Sequence, residues 1–575
     1  MLIVLLSWAY IFMIALVLGV GTSKLLSRLI PVPSGQLMGV TGAVTAGLTV
    51  LTVYAEYFSI FYKIGALCHI IVLVFCAAAF YAYRSDIKGM LFSLKEKCEK
   101  KRWIVYAAII AVSSFYTSRG KFHTDTGIYH AQAIRLLEEY GCIKGLGNFQ
   151  LHFAYNSSYL ALCALFTLSF ILPFALHTMT GFFMVLYTCY AVSGLFKFAE
   201  HKSHGGDMAR IAILIYSITS LTGLQSPATD YGTMYFVLYI LAAWITYVEE
   251  KKSDEEDISF YGFLSVLSIF AVSLKLSAAA LVILAVLPFV LLVKKKMAKE
   301  TILFIAIGFL SFLPYLIRNV ILSGWLFYPV EAIDLFNVEW KIPADYMWRD
   351  AAQIKVWGRA MGGMQEIPDG ELAARLNYGI STWLPIWWDA NRFYEKILVL
   401  LQIVGIVALA ADVVVRCFKK KLRGGVAVFY AALFANIIMW FFTAPFIRYG
   451  LSFLLVMPLC AVAHAADALF EEKKIGTVLL LIFAAFGFSF WGANYLKDDV
   501  KFVKKYVADA YYIVPEPFEQ AETDEVDMNG VTVYNSAKEV VNSYYYYPNS
   551  CYLDMIKRTE LIGSTIEEGF KAKER

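Results

Sequence analysis

Long apolar runs separated by short polar turns recur along most of this 575-residue chain. Many of the runs reach about eighteen residues or more, the length that an α-helix needs to cross a bilayer. Hydrophobic residues make up 59% of the sequence and charged residues 17%, against about 25% charged residues in a typical soluble protein. The sequence therefore predicts an all-α polytopic membrane protein and excludes a soluble globular enzyme.

Basic clusters occupy alternate turns between these apolar runs. Such turns are cytoplasmic by the positive-inside rule, which places the remaining turns outside. The alternation predicts about fourteen transmembrane helices, with both termini on the extracytoplasmic side of the inner or plasma membrane. The basic turns lie within residues 84–102, 197–210, 251–252, 294–299, 416–423 and 473–474.

The same alternation divides the chain into three parts. Residues 1–102 form an N-terminal extension of three spans that ends in a cytoplasmic basic loop. Residues 103–493 form the transmembrane core, and residues 494–575 form an extracytoplasmic C-terminal domain. The core carries two large outer loops, 118–157 and 318–394, in which we expect juxtamembrane helices.

Two smaller regions leave questions open at the sequence level. Residues 158–176 are apolar, but the alternation of sides favours a re-entrant or surface-lying helix there over a crossing. In the tail, Asn529-Gly530 stands before a β-prone segment and predicts a turn within a small α/β segment. Cys142 and Cys551 fall in outer parts where they could pair, although nothing in the sequence requires it.

The loop at 118–157 is the most informative polar segment. Apolar side chains recur at helical spacing from residue 126 to 140, which predicts an amphipathic helix at the membrane surface, ended by Gly141. Asp125, at the start of this helix, either caps it or acts as a general base. Polar neighbours favour the base, and these candidate substrate-binding residues are His123, Tyr129, His130, Gln132, Asn148 and His152. The histidines lack metal-ligand spacing, so no metal site is predicted.

Ionisable residues near membrane depth are rare and are commonly functional. Asp230 opens a later span, either as a helix cap or as a second acid facing the same site as Asp125. Lys275 has apolar neighbours on both sides and either extends its stem to the surface or binds an anion. Arg318 and Arg448 repeat this pattern at the outer ends of other spans. The three cations together predict a site for a phosphate or pyrophosphate group.

The outer loop at 318–394 is rich in tryptophan. Trp387 and Trp388, followed by Asp389 and Asn391, are candidates for stacking on sugar rings while the polar neighbours bind hydroxyl groups. An ordinary aromatic belt at the membrane surface would show the same composition. Both interpretations stay open at this point.

These features resemble the GT-C superfamily of integral-membrane glycosyltransferases. The likeness rests on Asp125 in the first large outer loop, on Asp230 at a short outer turn, and on the motif residues that follow a late span. That motif reads Arg318-Asn319, Ser323-Gly324 and Tyr328-Pro329. The likeness covers residues 103 to about 493. A narrower resemblance, to a group of bacterial membrane proteins of unassigned chemistry, rests on residues 125–133, 145–148, 153–158 and 563–570.

The resemblance implies an enzyme that takes a sugar from a polyprenyl-phosphate donor on the extracytoplasmic side. Asp125 would deprotonate the hydroxyl of a glycan, glycolipid or glycoprotein acceptor, and transfer would invert the anomeric carbon. The cations would stabilise the leaving phosphate. Asp125 is followed by Thr126 and not by a second acid, so a divalent metal is possible but not required. Besides donor, acceptor and bilayer, no partner is expected, and nucleic acid is excluded.

Two other functions remain as alternatives. A transporter or flippase of lipid-linked saccharides predicts inverted repeats and helices broken at mid-membrane, and the sequence displays neither. A polysaccharide polymerase or ligase would concentrate arginine and histidine in one late outer loop, whereas here the acids come early in the chain. The sequence therefore favours the glycosyltransferase.

Overall fold

Long apolar helices dominate the computed structural model of the chain. Ten helices within the described residues are long and apolar enough to cross a membrane, and shorter apolar helices pack among them. The protein is therefore a multi-pass α-helical membrane protein, as predicted, while the count of fourteen spans stays a prediction. The structure describes residues 1–30, 35–96, 100–251, 253–254, 258–363, 367–470, 473–506, 511–536, 538 and 541–574.

The helices run back and forth between two ends of the molecule. A π-helical turn (Thr126–His130) precedes α5, and a 3₁₀ segment (Leu276–Ala285) continues into α12. The helices as far as residue 323 are α1 (Leu2–Leu26), α2 (Gly35–Phe61), α3 (Ala66–Glu96), α4 (Lys100–Ser118), α5 (Ala131–Glu139), α6 (Leu146–Phe149), α7 (Ser158–Leu165), α8 (Met179–Leu195), α9 (Gly205–Ser220), α10 (Thr229–Glu250), α11 (Ile258–Leu274), α12 (Val286–Lys294) and α13 (Ala298–Ser323).

The second large loop contributes three helices before the chain re-enters the core. It extends from the end of α13 to the start of α17, slightly shorter than the predicted 318–394. The remaining helices are α14 (Ala344–Gly358), α15 (Asp369–Leu376), α16 (Ile380–Ala390), α17 (Phe393–Phe418), α18 (Gly424–Thr443), α19 (Ile447–Leu469), α20 (Lys473–Tyr506) and α21 (Leu553–Lys557).

Glycines allow α1 and α2 to pack in backbone contact. A Cβ atom on Gly19 would lie 1.8 Å from the carbonyl oxygen of Ala43, and one on Gly47 would lie 1.8 Å from that of Ala15. Close van der Waals contact of this kind drives helix association in lipid, where burial of apolar surface adds little. Both helices also contact α3. The boundary predicted at residue 102 falls inside α4, which begins at Lys100.

One end of the core, here named the loop side, collects residues 119–157, the starts of α1, α10 and α19, and the C-terminal tail. Met1 lies there, and its ammonium group donates to the carbonyl oxygen of Tyr511 at 2.6 Å. The Lys121 amide donates to the carbonyl oxygen of Thr222 at 2.8 Å, which joins the first loop to the turn before α10. The turns that carry the basic clusters lie at the opposite end, here named the basic side.

The apolar stretch at 158–176 is a short helix followed by a return of the chain. Helix α7 has eight residues, all buried, and so extends only about 12 Å, well short of a bilayer. The chain then returns to the loop-side end of α1, where the Trp8 indole donates to the carbonyl oxygen of Thr178 at 2.9 Å. This path agrees with the predicted short helix and not with a crossing.

The tail contains short strands, in agreement with the predicted α/β segment. β1 (Asp524–Met528) and β2 (Val531–Asn535) form an antiparallel hairpin, β3 (Asn549–Ser550) pairs in parallel with β2, and β4 (Thr559–Leu561) pairs antiparallel with β5 (Phe570–Ala572). Asn529 and Gly530 turn the hairpin with φ of 55° and 84°, the conformation that this dipeptide favours. The boundary predicted at residue 494 falls inside α20, whose apolar stretch long enough to cross a membrane, Lys474–Asn494, ends at that residue.

The tail packs directly on the first loop. The rings of Phe149 and Phe570 lie 5.1 Å apart, and the Phe570 amide donates to the carbonyl oxygen of Lys144 at 2.9 Å. The tail also covers part of α5, where Tyr544 donates to the Glu138 carboxylate and the Arg135 guanidinium carbon lies 4.5 Å from the ring centre of Tyr547. Cys142 and Cys551 are both free thiols among the cysteines that the structure describes. The shared apolar cluster includes Leu136, Ile143, Leu146, Phe149 and Phe153 of the loop and Met528, Val533, Ile556, Leu561, Ile566 and Phe570 of the tail.

Candidate functional site

Separate elements bring acids, cations and a histidine together on the loop side. His123 and Asp125 precede the π-helical turn, Asp230 lies in the first turn of α10, Lys275 follows α11, and Arg448 lies in the first turn of α19. The Lys275 ammonium group pairs with the Asp230 carboxylate. Arg448 lies 3.4 Å from Asp125 (Nη2 to Oδ2) and 3.7 Å from Asp230 (Nε to Oδ2). We name these residues the charged cluster.

The members of the charged cluster lie at helix ends because the apolar middle of a span leaves no favourable place for a charge. Asp230 is stabilised by its position in the first turn of α10, where the helix dipole favours negative charge. Arg448 occupies the equivalent position in α19, where the dipole disfavours a cation. The carboxylates of Asp125 and Asp230 offset this cost. Arg448 is therefore stable at the start of α19 only because the two acids lie beside it.

Asp125 does not use its carboxylate as a helix cap. It occupies the N-cap position with helical backbone angles, and within the described chain its side chain makes no cap hydrogen bond. Its Oδ2 atom instead lies 3.6 Å from Nδ1 of His123 and 3.4 Å from Arg448. The Asp125 side chain is 25% exposed and that of Asp230 is 7% exposed. Asp125 is therefore the acid that an incoming molecule can reach.

His123 acts as a neutral member of the cluster. Arg448 Nη1 lies 2.8 Å from its Nε2 atom. Burial lowers the pKa of His123, partly opposed by the nearby Asp125 carboxylate. The imidazole therefore stays neutral near pH 7, so that Lys275 and Arg448 supply the positive charge and His123 supplies a hydrogen-bonding ring.

Two tyrosines that the sequence interpretation did not include complete the walls of the cluster. Lys275 Nζ lies 4.1 Å from the ring centre of Tyr449, and the Arg448 guanidinium carbon lies 5.0 Å from it. Tyr231 meets the His123 ring edge-on at 5.9 Å. Cation–π contact holds the two positive charges in place from one side. The sequence could have indicated both tyrosines, since each directly follows a charged residue at the start of a helix.

A second group of rings lies beside the cluster and includes a tail residue. The His152 ring stacks between those of Tyr129 and Tyr552, at 5.4 Å and 5.5 Å. His130 lies against Tyr129 at 4.2 Å. Within the part of the chain that the structure describes, Nε2 of His130 and Nδ1 of His152 have no hydrogen-bond partner. Burial lowers the pKa of His130 to about 3 and also lowers that of His152, so both rings are neutral.

Arg318 has a partner other than the charged cluster. Its Nη1 atom lies 3.4 Å from Oε1 of Glu56 in α2, and the side chains are 3% and 0% exposed. The prediction that it converges with Lys275 and Arg448 on one anion is therefore not supported by its position. Sequence could not show this, because the countercharge lies 262 residues away along the chain.

Gln132 and Asn148, both predicted to bind substrate, hold the loop to other segments. The Gln132 side chain donates to the carbonyl oxygens of Ser543 and Tyr546 and accepts from the Asn549 amide. The Asn148 amide group donates to the carbonyl oxygen of Trp340 at 2.9 Å. Both side chains are buried. Their polar groups are thus engaged in packing the loop.

The two tryptophans predicted for sugar stacking differ in position. Trp387 is buried, and its indole donates to the carbonyl oxygen of Pro445 at 2.8 Å. It therefore fixes the turn that leads into Arg448, and the expectation that its face is open to a sugar is wrong. Trp388 is partly exposed and lies 5.8 Å from the Lys396 ammonium group. Trp388 keeps an accessible surface.

His123, Asp125 and Asp230 also have a spacing that could hold a metal ion, since one ligand atom from each lies within 4.8 Å of the others. The same two carboxylates contact Lys275 and Arg448. A divalent ion between them would stand next to two positive charges. The negative charge of the two carboxylates is therefore already balanced by two side-chain cations.

A family model described as Domain of unknown function (DUF8201) matches residues 1–455. The match includes the first loop and every member of the charged cluster, and it ends before the tail. No curated protein and no solved structure matches the chain.

Proposed function

The chain belongs to the family described as Domain of unknown function (DUF8201), and we propose that it is a membrane glycosyltransferase of the GT-C type. It would move a sugar from a polyprenyl-phosphate donor to a hydroxyl group of a surface glycan, glycolipid or glycoprotein. The observation that carries this proposal is the charged cluster, in which the accessible carboxylate of Asp125 lies beside Lys275 and Arg448 at one end of a membrane core.

Asp125 suits the role of general base. A base must be reached by the acceptor hydroxyl, and the Asp125 side chain is 25% exposed and not engaged as a helix cap. Asp230 was predicted to be catalytic as well, but it is 7% exposed and paired with Lys275. Asp230 would therefore hold the two cations in place and not take part in proton transfer.

Lys275 and Arg448 suit the role of anion binders. In the proposed reaction the acceptor oxygen forms a bond to the anomeric carbon as its proton passes to Asp125. The bond from that carbon to the phosphate oxygen breaks on the opposite face, which inverts the configuration, and the electron pair leaves with the phosphate. Fixed positive charges stabilise this developing negative charge because they need no reorientation during the reaction.

The positions of the basic turns support an extracytoplasmic site. The clusters at 294–299 and 416–423 follow α12 and α17, at the basic side, whereas the charged cluster lies at the loop side. Positively charged turns favour the cytoplasmic face. The donor would then be bound with its lipid in the outer leaflet and its phosphate between Lys275 and Arg448.

The proposal is tested with Asp125→Asn in the full chain, reconstituted in liposomes with polyprenyl-phosphate-linked sugars and a mixture of glycan acceptors. We expect transfer to fall by about 10²–10⁴-fold, the usual contribution of a general base, with unchanged thermal stability. Asp554→Asn, at an exposed tail position, is the matched control and should keep full transfer.

The same liposomes separate the alternatives. Transfer that persists in Asp125→Asn would show that Asp125 is not the general base. The lipid-linked sugar could instead cross the bilayer without transfer, equally fast in both variants and the parent. That result would contradict the glycosyltransferase and support a flippase. Chelation of divalent ions should leave transfer intact if the two side-chain cations stabilise the phosphate.

A further inference from the structure

The C-terminal tail is hydrogen-bonded to the π-helical turn that directly follows Asp125. The Asn542 amide donates to the carbonyl oxygen of Gly127 at 2.6 Å. The Asn542 side-chain amide donates to the next carbonyl oxygen, that of Ile128. One tail residue therefore holds two successive carbonyl groups, two and three positions after the candidate base.

The turn needs such support because it is a π-helix. The Ala131 amide bonds to the carbonyl oxygen of Thr126, five residues back, in place of the α-helical partner four residues back. Segments of this kind are rare, short and frequent at functional sites. Each backbone carbonyl can accept a second hydrogen bond. Asn542 supplies donors from outside the turn to the carbonyl oxygens of Gly127 and Ile128.

The orientation of Asn542 is itself fixed. The Ser536 hydroxyl donates to its Oδ1 atom at 3.2 Å, which leaves the amide NH₂ group to face Ile128 and the Gln150 side chain, 3.2 Å from Gln150 Oε1. Gln150 donates in turn to the same Ile128 carbonyl at 3.0 Å. Asn542 and Ser536 are both about 1% exposed. The network is closed and dry, conditions under which hydrogen bonds are strongest.

The contact surface is shaped to bring the tail close. A Cβ atom on Gly127 would lie 3.2 Å from Cγ1 of Val541, so a larger residue there would crowd the Val541 side chain. Farther along α5, the Gln132 side chain donates to the carbonyl oxygens of residues 543 and 546 and accepts a hydrogen bond from the amide of residue 549. The tail thus contacts the loop over the whole stretch from the turn to the middle of α5.

From these contacts we infer that Asn542 is a positioning residue: the tail sets the backbone from which Asp125 projects into the charged cluster. This inference rests on the proposed function for its catalytic meaning only, since the effect on the backbone can be measured without any substrate. The tail lies outside residues 1–455, which match the family model.

The test uses hydrogen exchange of the full chain in nanodiscs, followed by mass spectrometry of peptides that cover residues 124–133. We expect Asn542→Ala and Asn542→Asp to speed exchange there by about tenfold, which corresponds to loss of one or two buried hydrogen bonds. Asn542→Asp keeps the size and the Oδ1 acceptor but replaces the amide donor by a carboxylate oxygen that repels the Ile128 carbonyl, so it gives a second measurement if the alanine variant does not fold. Unchanged exchange in Asn542→Asp would overturn the inference.

Asn535→Ala is the matched control. Asn535 is a buried tail residue whose amide donates to the Ser550 carbonyl oxygen at 2.8 Å, within the tail itself. Faster exchange at 124–133 in this control, to the same extent as in Asn542→Asp, would show that general loosening of the tail and not Asn542 is responsible.

Transfer assays separate this inference from the proposed function. If both hold, Asn542→Asp lowers kcat by about tenfold and leaves the KM for the donor unchanged, because Lys275 and Arg448 lie on other elements. If exchange responds to Asn542 but Asp125→Asn retains transfer, the proposed function fails and the positioning of the turn stands. A raised donor KM with unchanged kcat would contradict a role through Asp125.

Discussion

Two cations with the same sequence surroundings have different roles at the residue scale. Arg318 is paired with Glu56 and buried, whereas Lys275 is 24% exposed and faces the charged cluster. Removal of one partner from a buried ion pair leaves an uncompensated charge and costs about 3–5 kcal/mol. Truncation of Lys275 costs less, because the Asp230 carboxylate left behind still lies 3.7 Å from the Arg448 guanidinium group.

We therefore predict opposite profiles for Arg318→Met and Lys275→Met. Arg318→Met should lower thermal stability in detergent strongly and leave the binding of a polyprenyl phosphate, measured by native mass spectrometry, nearly unchanged. Lys275→Met should weaken that binding by about tenfold or more, since a charge-assisted hydrogen bond is lost, with a smaller stability change.

The double variant Arg318→Met/Glu56→Leu provides the control. Since it removes both charges, it should recover much of the stability that Arg318→Met loses. A double variant as unstable as the single one would mean that Arg318 stabilises the protein through packing. Loss of phosphate binding in Arg318→Met at full stability would restore Arg318 to the anion site.

Sequence identifies ionisable residues in apolar surroundings well and their partners poorly. Asp125, Asp230, Lys275 and Arg448 were all visible because charge stands out against a span, and they do lie together. Arg318 was equally visible, but its partner Glu56 lies near the end of α2, a different apolar helix. Pairing is a property of helix packing, which local sequence does not contain.

At the scale of elements, the segment from the π-helical turn to α5 buries an unusual set of titratable groups. Burial lowers the pKa of His130 from 6.5 to about 3. Burial raises the pKa of Glu138 to about 7, with hydrogen bonds from Thr167 and Tyr544 opposing the rise. Both groups are thus mainly neutral in the folded protein near pH 6, where the unfolded histidine is close to its pKa of 6.5 and the unfolded glutamate, with a pKa of 4.5, is ionised.

The depressed pKa of His130 gives the element a defined acid sensitivity. The unfolded chain binds a proton at this histidine as pH falls below 6.5 and the folded chain does not until about pH 3. Stability is therefore fully present above pH 6.5 and falls progressively below it, by about 1.4 kcal/mol at pH 5.5. Glu138 acts in the opposite direction, so the effect must be isolated by a variant.

We predict that His130→Gln removes this part of the acid sensitivity. From pH 7.5 to pH 5.5 the parent should lose about 1 kcal/mol more of its free energy of unfolding than His130→Gln does. Thermal unfolding in detergent measures both proteins at each pH. His201, at the basic side and partly exposed, is the matched site for a control substitution. A pH-independent difference at His130 would show that the ring is not buried as a neutral group.

Local patterns predicted the elements of this region but not what covers them. The helical spacing after Asp125 and the stop at Gly141, where φ is +79°, are both present. Gln132 was predicted to bind substrate, and nothing nearby in sequence indicated a partner for Glu138. Their partners come from the tail, with Tyr544 donating to Glu138 across 406 residues. Long-range docking of this kind has no local signature.

At the scale of the whole molecule, the charged cluster and the basic clusters lie at opposite ends of the core. The loop side also contains the N-terminus, the large loop with α14, α15 and α16, and the tail. The function proposed here therefore depends on which face of the membrane the loop side occupies.

If the loop side is extracytoplasmic, as proposed, a membrane-impermeant maleimide should reach cysteines on the loop side of intact cells and not those on the basic side. Glu567 is exposed on the tail, so Glu567→Cys should be labelled from outside without permeabilisation. The native Cys417 is exposed at the basic-side end of α17 and should be labelled only after permeabilisation. Asn148, although in the first loop, is 3% exposed and makes a poor probe.

Mass spectrometry of the labelled peptides reads both positions in one sample, so each serves as the control of the other. The reverse pattern, with Cys417 reached first, would place the charged cluster on the cytoplasmic face. The basic clusters would then face outward, against the positive-inside rule. A donor bound in the outer leaflet could not reach Asp125 in that arrangement, so this one measurement decides whether the proposed reaction is geometrically possible before any substrate is known.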